Sequence, residues 1–198
     1  MLAKRKLIFG LGSGRCGTTS LTFLFDRQFS TTAMHEYFVR ANYNLPFEHP
    51  DEDKVKQYLL EWLQYNTPVL VDVGFYWLNY VHVVMSFTDN ASFVCLKRKK
   101  QRTVDSFLKN KSEALFFQEK NEEELEAYYD WYYEKAENFE GLYPKNFKVF
   151  DIDCLNSVKG QSDMLAFCGY ERKDIVYVES LDLNNHSDKR AEKGIIHG

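Results

Sequence analysis

The chain has 198 residues, 44% hydrophobic and 27% charged, with 16 Phe, 13 Tyr and 3 Trp against only 4 Pro and 10 Gly. That composition excludes a disordered segment and is expected to close one globular domain over 1–198 with a sizeable core. With 25 Lys and Arg against 29 Asp and Glu, the formal charge of -4 excludes a basic nucleic-acid coat as a property of the whole surface and leaves local basic clusters open.

Cys16, Cys95, Cys154 and Cys168 show no CxxC spacing and read as reduced thiols rather than a metal knuckle or a stapled scaffold. The basic start Met1-Leu-Ala-Lys-Arg-Lys is followed by an apolar run, 7–11, too short for a signal segment. No stretch reaches the roughly 18 apolar residues of a membrane span. A cytoplasmic location is therefore expected.

Lys6-Leu-Ile-Phe-Gly-Leu-Gly ends in glycines, as a buried parallel strand does before a tight turn. From Gly17 onward, Leu21, Leu24 and Phe25 share one helix face. Residues 31–34 read as a weak strand leading to His35-Glu36. After Pro50, Val55, Tyr58, Leu59 and Trp62 keep helical spacing until Thr67-Pro68 breaks it. Val69 to Val73 is a strand, and Phe75-Tyr-Trp-Leu-Asn-Tyr-Val predicts another apolar helix. Ser92 to Leu96 is a buried strand, followed by the basic turn Lys97-Arg-Lys-Lys and a helix through Val104 and Phe107. Glu122 to Phe139 is a long acidic and aromatic helix, Phe147 to Ile152 the last strand, and Val158 to Phe167 the last helix. Strands alternating with helices predict an α/β fold, a three-layer sandwich around a central, mainly parallel sheet. The polar, aperiodic tail from Asn184 reads as a loop or a lid.

In such a sheet, ligands sit beyond the carboxyl ends of the strands. The run Gly10-Leu-Gly-Ser-Gly-Arg-Cys-Gly-Thr-Thr-Ser lies between the first strand and the first helix. Glycines let successive N–H groups turn inward at a helix start, which makes an anion cradle suited to phosphate. A glycine turn without a ligand is the plain alternative, and the coincidence of strand, glycines and helix start argues against it. A nucleoside-triphosphate loop would read GxxxxGK[ST]. With Gly12 and Gly17 as its glycines, Thr18 stands where the lysine should be, and Arg15 supplies a cation from inside the loop.

Gly14-Arg15-Cys16-Gly17-Thr18-Thr19-Ser20-Leu21 resembles the 5'-phosphosulfate loop of sulfotransferases that use 3'-phosphoadenylyl sulfate (PAPS), often Pro-Arg/Lys-Ser-Gly-Thr-Thr-x-Leu, with Gly for Pro and Cys for Ser. In that family an arginine after the third strand and a serine eight residues later hold the 3'-phosphate, and Arg98 and Ser106 have that spacing. The pair would bring a fork-shaped donor and a hydroxyl onto one dianion. By itself the cluster from Lys97 to Arg102 reads as a solvated turn or an RNA contact. Phe147-Lys-Val-Phe-Asp-Ile-Asp-Cys-Leu resembles the strand and acidic turn that recur late in the family. The family's closing Arg-Lys-Gly loop has a partial match in Glu192-Lys193-Gly194, leaving Lys193 or Arg190 to reach the 3'-phosphate.

The resemblance implies a P-loop-NTPase-like sulfotransferase fold. It also implies transfer of a sulfuryl group from PAPS to an acceptor hydroxyl of a small molecule, sugar or peptide side chain, with release of adenosine 3',5'-bisphosphate and no metal. Arg15, the N–H groups from Cys16 to Thr19 and the Thr18 and Thr19 hydroxyls would hold the 5' end. Glu36, 21 residues after Arg15, stands where the carbohydrate and protein-tyrosine branches carry their base. His35 competes, since the small-molecule branch uses a histidine, though farther along; either also reads as a surface residue at a strand end. Phe75, Tyr76 and Trp77 after Asp72 read as an acceptor wall or as helix-start core, and Tyr128-Tyr-Asp-Trp-Tyr-Tyr as one packed helix face rather than a substrate platform. A P-loop kinase of a small molecule is the rival enzyme, opposed by Thr18. A non-catalytic nucleotide- or RNA-binding module is the rival binder, opposed by the net charge.

Overall fold

Strands that are apolar on both faces require cover on both faces, and the alternation within each run decides which residue meets which layer. The computed structural model describes residues 5–37, 52–110, 117 and 119–179. In chain order it contains β1 (Lys6–Leu11), α1 (Thr18–Asp26), β2 (Thr31–His35), α2 (Glu52–Trp62), β3 (Val69–Val73), α3 (Val81–Phe87) and β4 (Ala91–Lys97). There follow α4 (Lys100–Lys109), α5 (Glu122–Leu142), β5 (Phe147–Asp151) and α6 (Val158–Phe167). The five strands pair entirely in parallel, in the order β2-β3-β1-β4-β5. The expected three-layer α/β sandwich is present, with a sheet that is wholly rather than mainly parallel.

Leu7, Phe9 and Leu11 of β1 meet the layer of α2, α3 and α5, where Trp62, Trp77, Val84, Tyr132 and Phe139 are packed. Ile8 meets the opposite layer, where Leu21, Leu24 and Phe25 of α1 and Met164 and Leu165 of α6 lie over Val71, Val73, Val94 and Leu96. Phe9, Phe93 and Phe147 stack across β1, β4 and β5 at centroid separations of 5.1 and 5.8 Å. A third cluster joins Val104 and Phe107 of α4 to Phe117 and Leu125. The long helix starts where a capping box requires it: Asn121 Oδ1 accepts from Glu124 N at 2.9 Å, and the Asn121 N–H donates to the Glu124 carboxylate at 2.8 Å.

The segment after β3 differs from expectation. Phe75–Asn79 is a 3₁₀ turn and the α-helix begins only at Val81. Trp77 N–H bonds Gly74 O, and Tyr80 N–H bonds Trp77 O, the three-residue spacing of that tighter helix. The side chains of Tyr76 and Trp77 both reach back to Asp72, and the tight turn keeps these adjacent residues at one carboxylate. Among the described residues no helix is long and apolar enough to cross a membrane.

Candidate anion-binding active site

β1 lies between β3 and β4, so its carboxyl end opens where the chain's connections diverge to opposite edges of the sheet, the place where open α/β sheets bind ligands. The glycine loop leaves β1 there. Gly14 and Gly17 have φ of 90° and 87°, a region costly for residues with a Cβ, and a Cβ on Gly14 would sit 3.0 Å from Phe107 Cζ. Gly17 caps α1 and, having no side chain, places no oxygen of its own at the helix start. The first-turn amides of Thr18, Thr19 and Ser20 have no intrahelical acceptor and face the loop with the positive end of the helix dipole.

Arg15 holds the same left-handed geometry, φ 53°, without being glycine. That strain, roughly 1–3 kcal/mol, needs an external brace. Arg98 Nη1 supplies it, donating to the Arg15 carbonyl at 3.0 Å, while Arg15 Nε donates to Ser106 Oγ at 3.3 Å. The two motifs read separately in the sequence are therefore one site: loop, strand-end arginine and helix hydroxyl touch each other. Burial, together with the neighbouring Arg102 and Arg15 guanidiniums, lowers Arg98 from the usual arginine range, although Cys16 opposes this. Like charges gathered in this way favour an anion between them.

The remaining loop positions divide by burial. Thr19 is exposed and Thr18 half-buried at the helix start, whereas Ser20 is buried. Cys16 is also buried, and burial pushes its thiol up to about 11, so it packs beneath the loop as a neutral group. None of the four cysteines forms a disulfide.

His35 and Glu36 end β2 beside the loop. His35 Nε2 lies 3.2 Å from Thr18 Oγ1, which joins the strand end to the cradle. Glu36 has φ 53° and continues the ladder through its N–H to Val73 O at 2.8 Å. The next amide, that of Tyr37, donates to Asp72 Oδ1 at 3.3 Å. Asp72 is fully buried, and its Oδ2 accepts from Tyr58 at 3.4 Å, Tyr76 at 3.1 Å and Trp77 Nε1 at 3.2 Å. Burial, followed by the Asp72 charge, raises Tyr76 well above the ordinary phenol range, and the Glu36 charge adds a smaller push in the same direction. The aromatic wall proposed after Asp72 is thus core for Tyr76 and Trp77, with Phe75 half-buried.

Sequence reasoning did not find the Arg15–Ser106 contact or the Asp72 hub, because their members lie on different elements. It also read the α5 tyrosines as packing alone; their hydroxyls reach the glycine loop. Arg190 and Lys193, expected in a closing loop, and the tail from Asn184 lie outside the described residues.

No protein-family model and no curated protein matches this chain. Among solved structures it is similar to the sulfotransferase domain from the curacin biosynthetic pathway, at 16% identity and a TM-score of 0.63 over 84% of this chain and 75% of that one. It is similar to a sulfotransferase from Alicyclobacillus acidocaldarius at 18% identity and a TM-score of 0.55, over 92% and 90% of the two chains. A shikimate kinase from Bacteroides thetaiotaomicron follows at 15% identity and a TM-score of 0.51, over 81% and 94%. At these identities the likenesses establish a shared P-loop-like α/β fold.

Proposed function

We propose that this chain is a PAPS-dependent sulfotransferase acting on an acceptor hydroxyl, a reading that takes 1–198 as one domain. The observation that carries it is the convergence of Arg15, Ser106 and Arg98 at the mouth of the glycine loop. A nucleoside-triphosphate site needs a cation on the β- and γ-phosphates, and Thr18 occupies that lysine position. A second arginine and hydroxyl beside the loop suit a donor with phosphates at both ends of its ribose. The residues present fit such a donor: a helix start capped by a glycine, a loop curled around Gly14 and Gly17, and clustered guanidiniums on one side.

PAPS supplies the activated sulfuryl group. The loop amides and Arg15 hold its 5' end and stabilise charge growing on the leaving phosphate, and Arg98 with Ser106 holds the 3'-phosphate. Glu36 takes the acceptor's proton on its carboxylate as the new S–O bond forms and the old one to phosphate breaks; His35 orients Thr18 beside it. The acceptor is a small molecule, sugar or exposed peptide side chain. The likeness to shikimate kinase keeps small-molecule phosphorylation as the competing outcome of the test.

The test is a thermal-shift series. Adenosine 3',5'-bisphosphate at 100 times its dissociation constant stabilises the fold by about 2.7 kcal/mol, and should exceed AMP and MgATP at equal concentration. A chain stabilised by MgATP and indifferent to the bisphosphate is not a sulfotransferase.

A further inference from the structure

One helix sends four phenols to the carboxyl ends of the strands. Tyr128, Tyr129, Tyr132 and Tyr133 of α5 share a face by helical spacing. The Tyr132 hydroxyl donates to Phe75 O at 2.9 Å and accepts from Gly12 N–H at 3.1 Å. The Tyr133 hydroxyl donates to Leu96 O at 2.8 Å, lies 3.2 Å from Ser13 Oγ, and receives the Ser13 N–H at 3.5 Å, the longest of the set. Tyr128 donates to Ser13 O at 3.1 Å, and Tyr129 donates to Arg98 O at 2.5 Å.

A hydroxyl has one proton and two lone pairs. Tyr132 and Tyr133 each spend the proton on a carbonyl at or just after a strand end and a lone pair on the glycine loop, which makes each a crosslink between two elements. Packing does not require this: Phe139 and Phe147 fill the same layer with no hydroxyl. Burial holds both phenols well above the ordinary range, so the donated proton stays in place.

We propose that Tyr132 and Tyr133 are positioning residues that fix the glycine loop to the strand ends, Tyr133 at Leu96 of β4, which leads to Arg98, and Tyr132 at Phe75 in the turn after β3, so that the two anion subsites keep the separation of a 3',5'-bisphosphate. This rests on the reading of Arg15 and Arg98 given above. Loss of either hydroxyl leaves the loop amides without that tie and lets the loop drift from Arg98. A ligand that needs both subsites then suffers more than one that needs only the loop.

The experiment is calorimetric titration of the full chain with adenosine 3',5'-bisphosphate and with 5'-AMP, alongside thermal melts, for Tyr132→Phe and Tyr133→Phe. Tyr143→Phe is the control; its hydroxyl pairs with His82 Nδ1 at 2.9 Å, beyond the far end of the same helix. The bisphosphate-to-AMP affinity ratio should fall about tenfold in both variants, equivalent to about 1.4 kcal/mol, and stay unchanged in the control. A merely structural phenol would lower the melting temperature and leave the ratio alone. Two variants keep the test decisive if one misfolds, and a ratio within about twofold of the parent in a folded variant overturns the proposal. A parent that binds MgATP and not the bisphosphate removes the sulfotransferase reading. The same variants are then judged on MgATP, where a loss under about threefold overturns the positioning role. A parent that binds neither overturns both.

Discussion

Replacing Asp72 with asparagine tests whether the buried carboxylate organises the end of β3. Three donors meet its Oδ2, from Tyr58, Tyr76 and Trp77, and the Tyr37 amide meets its Oδ1. An asparagine oxygen can serve one side only, so its NH₂ group faces either the Tyr37 N–H or the three side-chain donors. With the oxygen kept on the three, each bond changes from charge-assisted to neutral, a loss of about 1 kcal/mol apiece, and one amide loses its acceptor for about 1 kcal/mol more. Relief from burying a charge offsets part of this, which leaves about 2–4 kcal/mol of destabilisation. For a domain of this size that lowers the melting temperature by about 4–16 °C, since each kcal/mol shifts it by about 2–4 °C. Circular-dichroism melts of Asp72→Asn and Tyr58→Phe measure it, the second removing a single 3.4 Å bond and costing about 1 kcal/mol. If Asp72→Asn melts within about 2 °C of the parent, or if Tyr58→Phe costs as much, the hub is not organising this part of the fold.

Arg15→Ala should lower turnover by about 10²–10³ while weakening donor binding far less, because the guanidinium acts on charge that develops during transfer; kcat and KM measured separately check this. Glu36→Gln should keep nucleotide affinity and lose sulfated product by mass spectrometry, with His35→Ala milder through Thr18, and the reverse ranking would reassign the base. Hydrogen bonds from Lys159 and Arg172 hold Asp163 below its ordinary 3.8, at about 2. Its folded-state pKa is depressed, so its contribution is present above about pH 4 and is lost as pH falls toward 2. Acid-denaturation curves of Asp163→Asn should therefore match the parent near neutral pH apart from a constant offset, and differ in slope only over that interval.

The glycine loop was legible because everything that makes it is contiguous: the apolar run of β1, the left-handed positions at Gly14 and Gly17, and the apolar face of α1 follow one another within a few residues. Local periodicity likewise located the other strands and most helices, since burial on one face or both writes itself into spacing. It erred where a side-chain partner outside the helical pattern intervenes. Phe75–Asn79 has the apolar content of an α-helix and coils more tightly with Tyr76 and Trp77 drawn to Asp72. Spacing put Arg98 and Ser106 on neighbouring elements, but only folding brings Ser106 to Arg15, 91 positions away, and Arg98 to the carbonyl of that same residue. For the α5 tyrosines, a ring's hydrophobicity marks it as core from sequence alone. The direction of its hydroxyl, which turns a core ring into a tie between β4 and the glycine loop, exists only once three elements are packed together.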